Sequence, residues 1–334
     1  MHDPTNLNLS HPVPACSWQV KPIRHVEDLH DAVLGAGLTP TVMSRKSVTG
    51  SLAFSTWNGM LFSSGLLNGK VWLDGTLSEN LLTFGTGLIL EGRCQHWLHD
   101  IEVGTVGVFG PGADHDAIYS GRSLYIGVTL PEDRLLLEAE QRGVIIDPSA
   151  LRTGLTNRPV SADPLRWLRN DMLAVHKRTA RTGSGRCEEA VLNSFLDYFG
   201  RPPRVSVGLS PLRGHERIVG HARDWIFGHL DQPIQIDQIA AGAMTSRRTL
   251  HRAFLEVLEE TPQAYVRRLR LHRIREELAT DSEAACTIAV AANQWGMGAL
   301  GRVSARYRAL FGELPSETIQ RVHRSAPSDS AQTG

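Results

Sequence analysis

The spacing of apolar residues changes at Pro131, and this change constrains the fold more than any other feature of the chain. Between residues 45 and 130, short apolar runs alternate with turn pairs such as Asn68-Gly69, a pattern typical of antiparallel strands. Beyond Pro131, apolar residues recur at helical spacing. A chain of 334 residues is long enough for two domains. We therefore predict an α+β protein, with a β-rich N-terminal domain that carries flanking helices and an all-α C-terminal domain.

Segments rich in proline separate the expected domains. Prolines at positions 4, 12 and 14 indicate an irregular N-terminal arm, and the sequence RPPRVSVGLSP at 201–211 is typical of a linker. The polar end of the chain is expected to be disordered. The predicted division is 1–20 for the arm, 21–200 for the N-terminal domain, 201–211 for the linker, 212–320 for the C-terminal domain and 321–334 for the disordered tail.

Composition excludes several classes of protein. Hydrophobic residues make up 41% of the chain and charged residues 21%, which excludes a mostly disordered chain. The sequence contains no run of 18 consecutive apolar residues, no secretory signal pattern and no C-x-x-C pair. We therefore expect no membrane association, no zinc ribbon and a cytoplasmic, nucleoid-associated location.

Residues 236–258 (IDQIAAGAMTSRRTLHRAFLEVL) carry the most informative motif. A short apolar helix leads into a turn at Met244-Thr245-Ser246, where Ser246 is a good N-cap for the next helix. That second helix is predicted to bury one face and to present a basic opposite face. This layout is typical of a DNA-binding helix-turn-helix. The predicted buried face comprises Leu250, Phe254, Val257 and Leu258, and the basic face comprises Arg247, Arg248, His251 and Arg252.

A second unit with the same layout follows about 50 residues later. It comprises a short helix at 287–295, a turn at Gly296 and a longer helix at 300–311. Between the units, residues 262–280 are predicted to form one helix of about 28 Å. Two readers on such a spacer can enter successive major-groove segments about 34 Å apart.

Residues 216–320 resemble the DNA-binding domain of the AraC/XylS family of bacterial transcription regulators. The resemblance covers about a third of the chain and departs from the family pattern at four positions. Glu260 stands where the family usually has Gly, Ile274 where it has Ala, and Met297 and Val303 where it has Phe. The matching residues are Ile239-Ala240, Ser246, Leu250, Phe254, Pro262, Tyr265, Arg270-Leu271, Arg275, Thr287-Ile288, Gly296, Tyr307, Phe311-Gly312 and Pro315.

The resemblance implies which residues contact DNA. We expect the first unit to supply most base-specific hydrogen bonds, through Arg248, His251 and Arg252. The second unit is expected to add thymine-methyl contact through Leu300, phosphate contact through Arg306 and Arg308, and shape readout. The spacer arginines are assigned mainly to packing and ion pairs with Glu276, Glu277 and Asp281. The complete set of expected DNA-contacting residues is Ser246, Arg247, Arg248, His251, Arg252, Leu300, Gly301, Arg302 and Arg306.

The N-terminal domain is less informative. The resemblance implies a sensor and dimerisation domain with a cupin-like β-barrel, in which His96, Trp97 and His115 are candidate ligand contacts. His96 and His99 are three residues apart, which in one strand would place them on opposite faces, and His115 is expected in a turn or at the rim. We therefore predict no metal site and no cofactor.

The sequence predicts a DNA-binding transcriptional regulator, expected to be an activator, and not an enzyme. Its expected partners are double-stranded promoter DNA, a second copy of the chain, RNA polymerase and a small-molecule effector. Two alternatives stay open: a cupin-type metalloenzyme fused to a DNA-binding domain, and a ligand-independent regulator. The helix carrying Leu165, Leu168, Met172 and Val175 either pairs with its twin in a dimer or packs on the barrel. Residues 211–334 hold 16 arginines against 14 acidic residues, so DNA binding is expected to depend on specific contacts more than on bulk charge.

Overall fold

The computed structural model describes residues 18–44, 47–156, 158–177, 186–200, 214–280, 287–297 and 300–325. The arm up to residue 17, the linker 201–211 and the tail from residue 326 lie outside the described residues. The first described strand begins at Gln19, so Gln19 and Val20 of the expected arm belong to the β-rich domain.

Twelve strands occur within these described ranges. Six of them coincide with the short apolar runs between turn residues that predicted strands, and the prediction missed the other six, which are shorter or more polar, such as β10. The strands are β1 (Gln19–Ile23), β2 (Thr39–Val42), β3 (Thr49–Trp57), β4 (Met60–Asn68), β5 (Val71–Thr76), β6 (Leu82–Leu90), β7 (Cys94–His96), β8 (His99–Ile101), β9 (Val106–Phe109), β10 (Asp114–Tyr119), β11 (Arg122–Leu130) and β12 (Gly154–Leu155).

The strands form two antiparallel sheets. The larger sheet has the order β1-β3-β4-β11-β6-β9-β12, and the smaller has the order β2-β5-β10-β7-β8. The expected closed barrel is therefore wrong: in the described part of the chain, each sheet keeps its own hydrogen-bonded ladder and its own edge strands. The cavity described below is lined by residues of both sheets.

In the described part of the N-terminal domain, three α-helices flank the sheets: α1 (Glu132–Gln141), α2 (Ala162–His176) and α3 (Arg186–Phe199). The apolar face of α2 is buried in the same core cluster as Phe62 and Phe84, which belong to the larger sheet. That face consists of Leu165, Leu168, Met172 and Val175. Because these side chains are covered by their own domain, the second alternative, packing on the sheet, is the one observed.

The C-terminal domain is helical throughout its described part. Its last helix begins at Pro315, a favoured first position, and runs through Arg321 to Ser325, where the sequence led us to expect a disordered tail. The buried Thr318 of this helix hydrogen-bonds Tyr307, which explains why the segment is ordered. The helices are α4 (Gly214–Phe227), α5 (Ile236–Gly242), α6 (Arg247–Val257), α7 (Pro262–Thr280), α8 (Ile288–Gln294), α9 (Leu300–Phe311) and α10 (Pro315–Ser325). No helix in the described ranges is both long and apolar enough to cross a membrane.

The smaller sheet joins the two domains. A guanidinium nitrogen of Arg223 on α4 lies 3.0 Å from the carboxylate of Asp116 on β10. The same guanidinium lies 4.1 Å from the ring centre of Trp72 on β5. At the end of β2, the backbone N–H of Val42 donates to Nε2 of His272 on α7 at 3.0 Å. The C-terminal domain therefore packs against the outer face of this sheet.

Candidate nucleic-acid interface

The first helix-turn-helix unit is formed by α5 and α6. Met244 makes the turn in the left-handed region, with φ of 50°. Ser246 caps α6, because its Oγ accepts a hydrogen bond from the Thr249 N–H at 3.2 Å. Leu250 and Phe254 are fully buried, so the predicted apolar face of α6 is the one that packs. The predicted cap and core of this unit are confirmed.

The opposite face of α6 is open to solvent. Arg248 and Arg252 are exposed, and within the described residues neither guanidinium has a hydrogen-bond or ion-pair partner. His251 is partly buried. Arg247 differs from its neighbours because its guanidinium makes a two-pronged ion pair with Asp237 on α5. Of the four predicted basic residues, Arg248 and Arg252 are therefore the two whose guanidinium groups are both exposed and unpaired within the described part of the chain.

The second unit repeats this architecture with α8 and α9. Thr287 caps α8 through a hydrogen bond from the Val290 N–H at 3.3 Å, and Gly296 makes the turn with φ of 65°. Met297 and Val303, which replace the family's usual Phe residues, are both buried, so the apolar packing is retained. The expected DNA-contacting residues Leu300, Gly301, Arg302 and Arg306 are all exposed.

The spacer helix α7 holds most of its arginines in contacts with the protein. Arg268 pairs with Glu260, and Arg270 donates to the carbonyl of Leu230 at 3.2 Å. Arg273 pairs with Glu276 at 2.8 Å, as predicted. Of the other two predicted acidic partners, Glu277 instead accepts a hydrogen bond from the indole N–H of Trp295 at 2.7 Å. The prediction for Asp281 falls outside the described residues. Arg275 is buried between Glu27 and Glu313.

A groove lies between the two units, and the sequence did not predict it. Its volume is about 310 Å³, and Ile236 and Ile239 of the first unit face Met297 and Val303 of the second across it. Four arginines also line it: Arg267, Arg270, Arg302 and Arg306. Such a concentration of guanidinium groups suits contacts to phosphate oxygens, which position a protein on DNA without reading its sequence. The sequence feature that could have indicated this groove is the pair Arg302 and Arg306, which are four residues apart on α9 and therefore lie on one face.

The three N-terminal candidates occupy different environments. His96 and His115 are buried and line a cavity between the two sheets. Trp97 forms the turn between β7 and β8, with φ of 47°. The expected placement of His115 in a turn or at the rim is wrong, because the residue lies within β10.

His96 and His99 also do not lie on opposite faces of one strand, where they were expected. The two residues lie on different strands, β7 and β8, and pair across a hairpin. Among the residues that the structure describes, no three His, Cys, Asp or Glu side chains are grouped as a metal ion would require.

Comparison with known proteins places these units in a family. A family model described as "Helix-turn-helix domain" matches residues 239–321. The chain is 33% identical over 106 residues to the XylDLEGF operon transcriptional activator 3 of Pseudomonas putida, and the match covers 32% of this chain and 31% of that relative. It is 31% identical over 118 residues to the XylDLEGF operon transcriptional activator 2 of the same organism, which covers 35% of this chain and 72% of that relative.

Among solved structures, the chain is similar to a probable AraC family transcriptional regulator from Rhodopseudomonas palustris, with 32% identity and a TM-score of 0.30. The match covers 31% of this chain and 96% of the regulator. The match to the first relative spans only about a third of that protein, whereas the match to the activator 2 protein spans most of it. The two capped units, their turns and their spacer are the part of the molecule that the family model describes. The chain belongs to the AraC/XylS family of bacterial transcription regulators.

Proposed function

We propose that this protein binds double-stranded promoter DNA sequence-specifically and activates transcription. The observation that carries the proposal is the exposure of Arg248, Arg252, Arg302 and Arg306, whose guanidinium groups have no partner among the described residues. All four project from the two helices that follow the helix-turn-helix turns. Arginine in this position can bind guanine through two hydrogen bonds.

The arrangement of the domains supports the same proposal. The N-terminal domain contacts Arg223 on α4 and His272 on α7. These contacts leave the four exposed arginines uncovered. DNA binding therefore does not require the domains to separate. We further propose that a small-molecule effector acts through the cavity of the N-terminal domain, that the chain works as a homodimer, and that it contacts RNA polymerase. The N-terminal domain is proposed to be cupin-like.

To test this proposal, the full chain is used to select preferred sites from a random pool of duplex DNA. The affinity of the chain for the selected site is then measured. Replacing Arg248 with Ala should weaken binding by about 1–3 kcal/mol and relax the preference at one base pair. The affinity should also fall as salt rises from low to physiological concentration, because phosphate contacts release counterions.

Arg166→Ala provides the matched control. Arg166 lies on α2, where it is 72% exposed and pairs with Asp163, so its loss should leave DNA affinity unchanged. A failure to select any preferred sequence, or an affinity that does not change with salt, would contradict the proposal.

A further inference from the structure

The cavity between the two sheets is small and largely aromatic. Its lining includes Phe109, Tyr119 and Tyr125 together with His96 and His115. Its volume is about 60 Å³. Since a cavity needs at least about 10–15 Å³ on this measure to hold one water, this cavity can hold more than one group of that size. The space therefore suits a small molecule of a few non-hydrogen atoms.

The chemistry of the lining selects against charge. Among the described residues that line the cavity there is no Asp, Glu, Lys or Arg. A carboxylate or an ammonium that entered would lose its hydration without gaining an opposite charge, which is strongly unfavourable. The lining therefore favours an uncharged occupant.

Most polar groups of the lining already have partners. Thr83 hydrogen-bonds Thr129 at 2.9 Å. Thr86 donates to the carbonyl of Thr105 at 2.9 Å, and Tyr125 donates to that of Ala32 at 2.6 Å. By contrast, Nδ1 of His96 and Nδ1 of His115 are buried and have no hydrogen-bond partner in the described part of the chain. Buried polar atoms are normally paired, so these two nitrogens mark the place where an occupant would bond.

The protonation state of His115 determines whether an occupant donates a hydrogen bond to its imidazole or accepts one from it. Burial lowers the pKa of His115 to about 4, so the ring is neutral near pH 7 and carries a single N–H. The backbone of Leu73 acts on this ring as a hydrogen-bond acceptor, which raises the pKa of His115 against the effect of burial. A carbonyl only accepts, and Nδ1 has no partner, so the N–H is at Nε2 and Nδ1 presents a lone pair. The occupant must therefore supply a hydrogen-bond donor.

We propose that this cavity binds a small uncharged organic molecule that carries an O–H or N–H donor, with the donor bonded to Nδ1 of His115 and the second imidazole, His96, beside it. The two rings lie edge to face with their centres 4.8 Å apart, so one small polar group can contact both. The inference deepens the effector-sensing part of the proposed function and rests on it.

Three probes of five non-hydrogen atoms each test separately whether the occupant must be uncharged and whether it must carry a hydrogen-bond donor. Propionamide is uncharged and has an N–H donor, methyl acetate is uncharged without a donor, and propionate is charged. The full chain, labelled with ¹⁵N at histidine, is titrated with each probe, and the ring nitrogen signals are followed by NMR. We expect saturable shifts of the His115 Nδ1 signal with propionamide only. Propionamide should also raise the melting temperature by about 2–4 °C at saturation, through binding to the folded state.

Two variants control for indirect effects. His99→Ala changes a histidine of the same hairpin that does not line the cavity, and it should leave the response intact. His115→Leu should abolish the response while the protein still unfolds cooperatively; if that variant does not fold, the NMR titration of the unsubstituted chain decides alone. Equal responses to all three probes, or none to propionamide because water alone occupies the cavity, would overturn the inference. Measuring DNA affinity on the same samples distinguishes a cavity that binds no probe from a protein that does not bind DNA.

Discussion

His115 and Asp116 are consecutive residues of β10, and their side chains lie on opposite faces of the sheet. The imidazole of His115 lines the cavity. The carboxylate of Asp116 accepts from the indole N–H of Trp72 at 2.7 Å and pairs with Arg223 of the C-terminal domain at 3.0 Å. One layer of backbone therefore separates the cavity from the surface on which the C-terminal domain docks.

Asp116→Asn tests how much this contact contributes to docking. The substitution keeps an acceptor for Trp72 and removes the charge opposite Arg223, whose side chain is only 8% exposed. Breaking a fully buried pair costs about 3–5 kcal/mol. Because Asp116 is 20% exposed, we expect a smaller loss in the free energy of unfolding, measured by urea denaturation. The control Asp163→Asn, which breaks the exposed pair with Arg166, should lower the free energy of unfolding by under about 1 kcal/mol. An equal loss for both variants would show that the pair of Asp116 and Arg223 contributes no more than an exposed ion pair.

The two helix-turn-helix units should contribute differently to base discrimination. Alanine at Arg248 and Arg252 should together reduce discrimination between the selected site and single-base variants more than alanine at Arg302. The reason is that α6 presents, in its first two turns, two exposed arginines that have no partner among the described residues, and α9 presents one residue with a long polar donor among Leu300, Gly301, Arg302 and Ala305. Affinities for a panel of site variants measure this. A larger effect of Arg302→Ala would reverse the assignment.

Two glycine-to-alanine substitutions should have opposite effects on stability. At Gly242, at the end of α5, an added Cβ would lie 2.3 Å from the ring of Trp225, so Gly242→Ala should destabilise the first unit. At Gly301, within α9, an added Cβ would meet nothing within 4 Å. Gly301→Ala should therefore stabilise the protein by about 0.5–1 kcal/mol, because alanine favours the helix. Thermal unfolding of both variants checks the signs.

Stability should fall as the solution becomes acidic. Burial lowers the pKa of His115 and His176 to about 4 and that of His272 to about 3. These groups stay neutral in the folded chain and take up protons on unfolding below pH ~6.5. Their contribution is complete above pH ~6.5 and is lost as the pH falls toward the folded values, at about 1.4 kcal/mol per pH unit for each group.

Asp74 acts in the opposite direction over part of this range. Burial, reinforced by the neighbouring Asp116, raises the pKa of Asp74 to about 6, so its contribution is present at low pH and is lost as the pH rises through about 6. Burial also raises the pKa of Asp171 and of Glu260, whereas the pKa values of Glu27, Glu259 and Glu313 are lowered and act in the same direction as the histidines. Because the three histidines and these lowered carboxylates together outweigh the raised ones, the melting temperature should still decrease between pH 6.5 and 4.5. His272→Gln, which keeps an acceptor for the Val42 N–H, should reduce that slope, and an unchanged slope would contradict the assignment to this residue.

The C-terminal domain was largely predictable because its signals are local. Helical periodicity, the Ser246 cap and the Gly296 turn are readable in short windows, and α7 and α9 begin and end at the predicted residues. The sequence pattern also identified which face of α6 packs. It could not show that Arg247 pairs with Asp237, because that contact depends on the angle between α5 and α6.

The N-terminal domain was less predictable because its signals come from partners far away in the chain. The sequence DHDAIY of β10 is too acidic to look like a strand, yet Asp116 is compensated by Arg223, more than a hundred residues later. The hairpin of β7 and β8 turns at Trp97 and Leu98, which have φ of 47° and 63°. No glycine, asparagine or proline marks that turn, so no local rule indicates it.

The alternation along β10 also limits how this protein can evolve. Substitutions at the inward position of His115 can change what the cavity accepts, while the outward Asp116 keeps its contact with Arg223. Insertion or deletion of one residue in this strand would exchange the two faces, sending the carboxylate into the cavity and the imidazole to the docking surface. The lining of the cavity is therefore open to change by point mutation, whereas the length of β10 is constrained both by the cavity and by the docking surface.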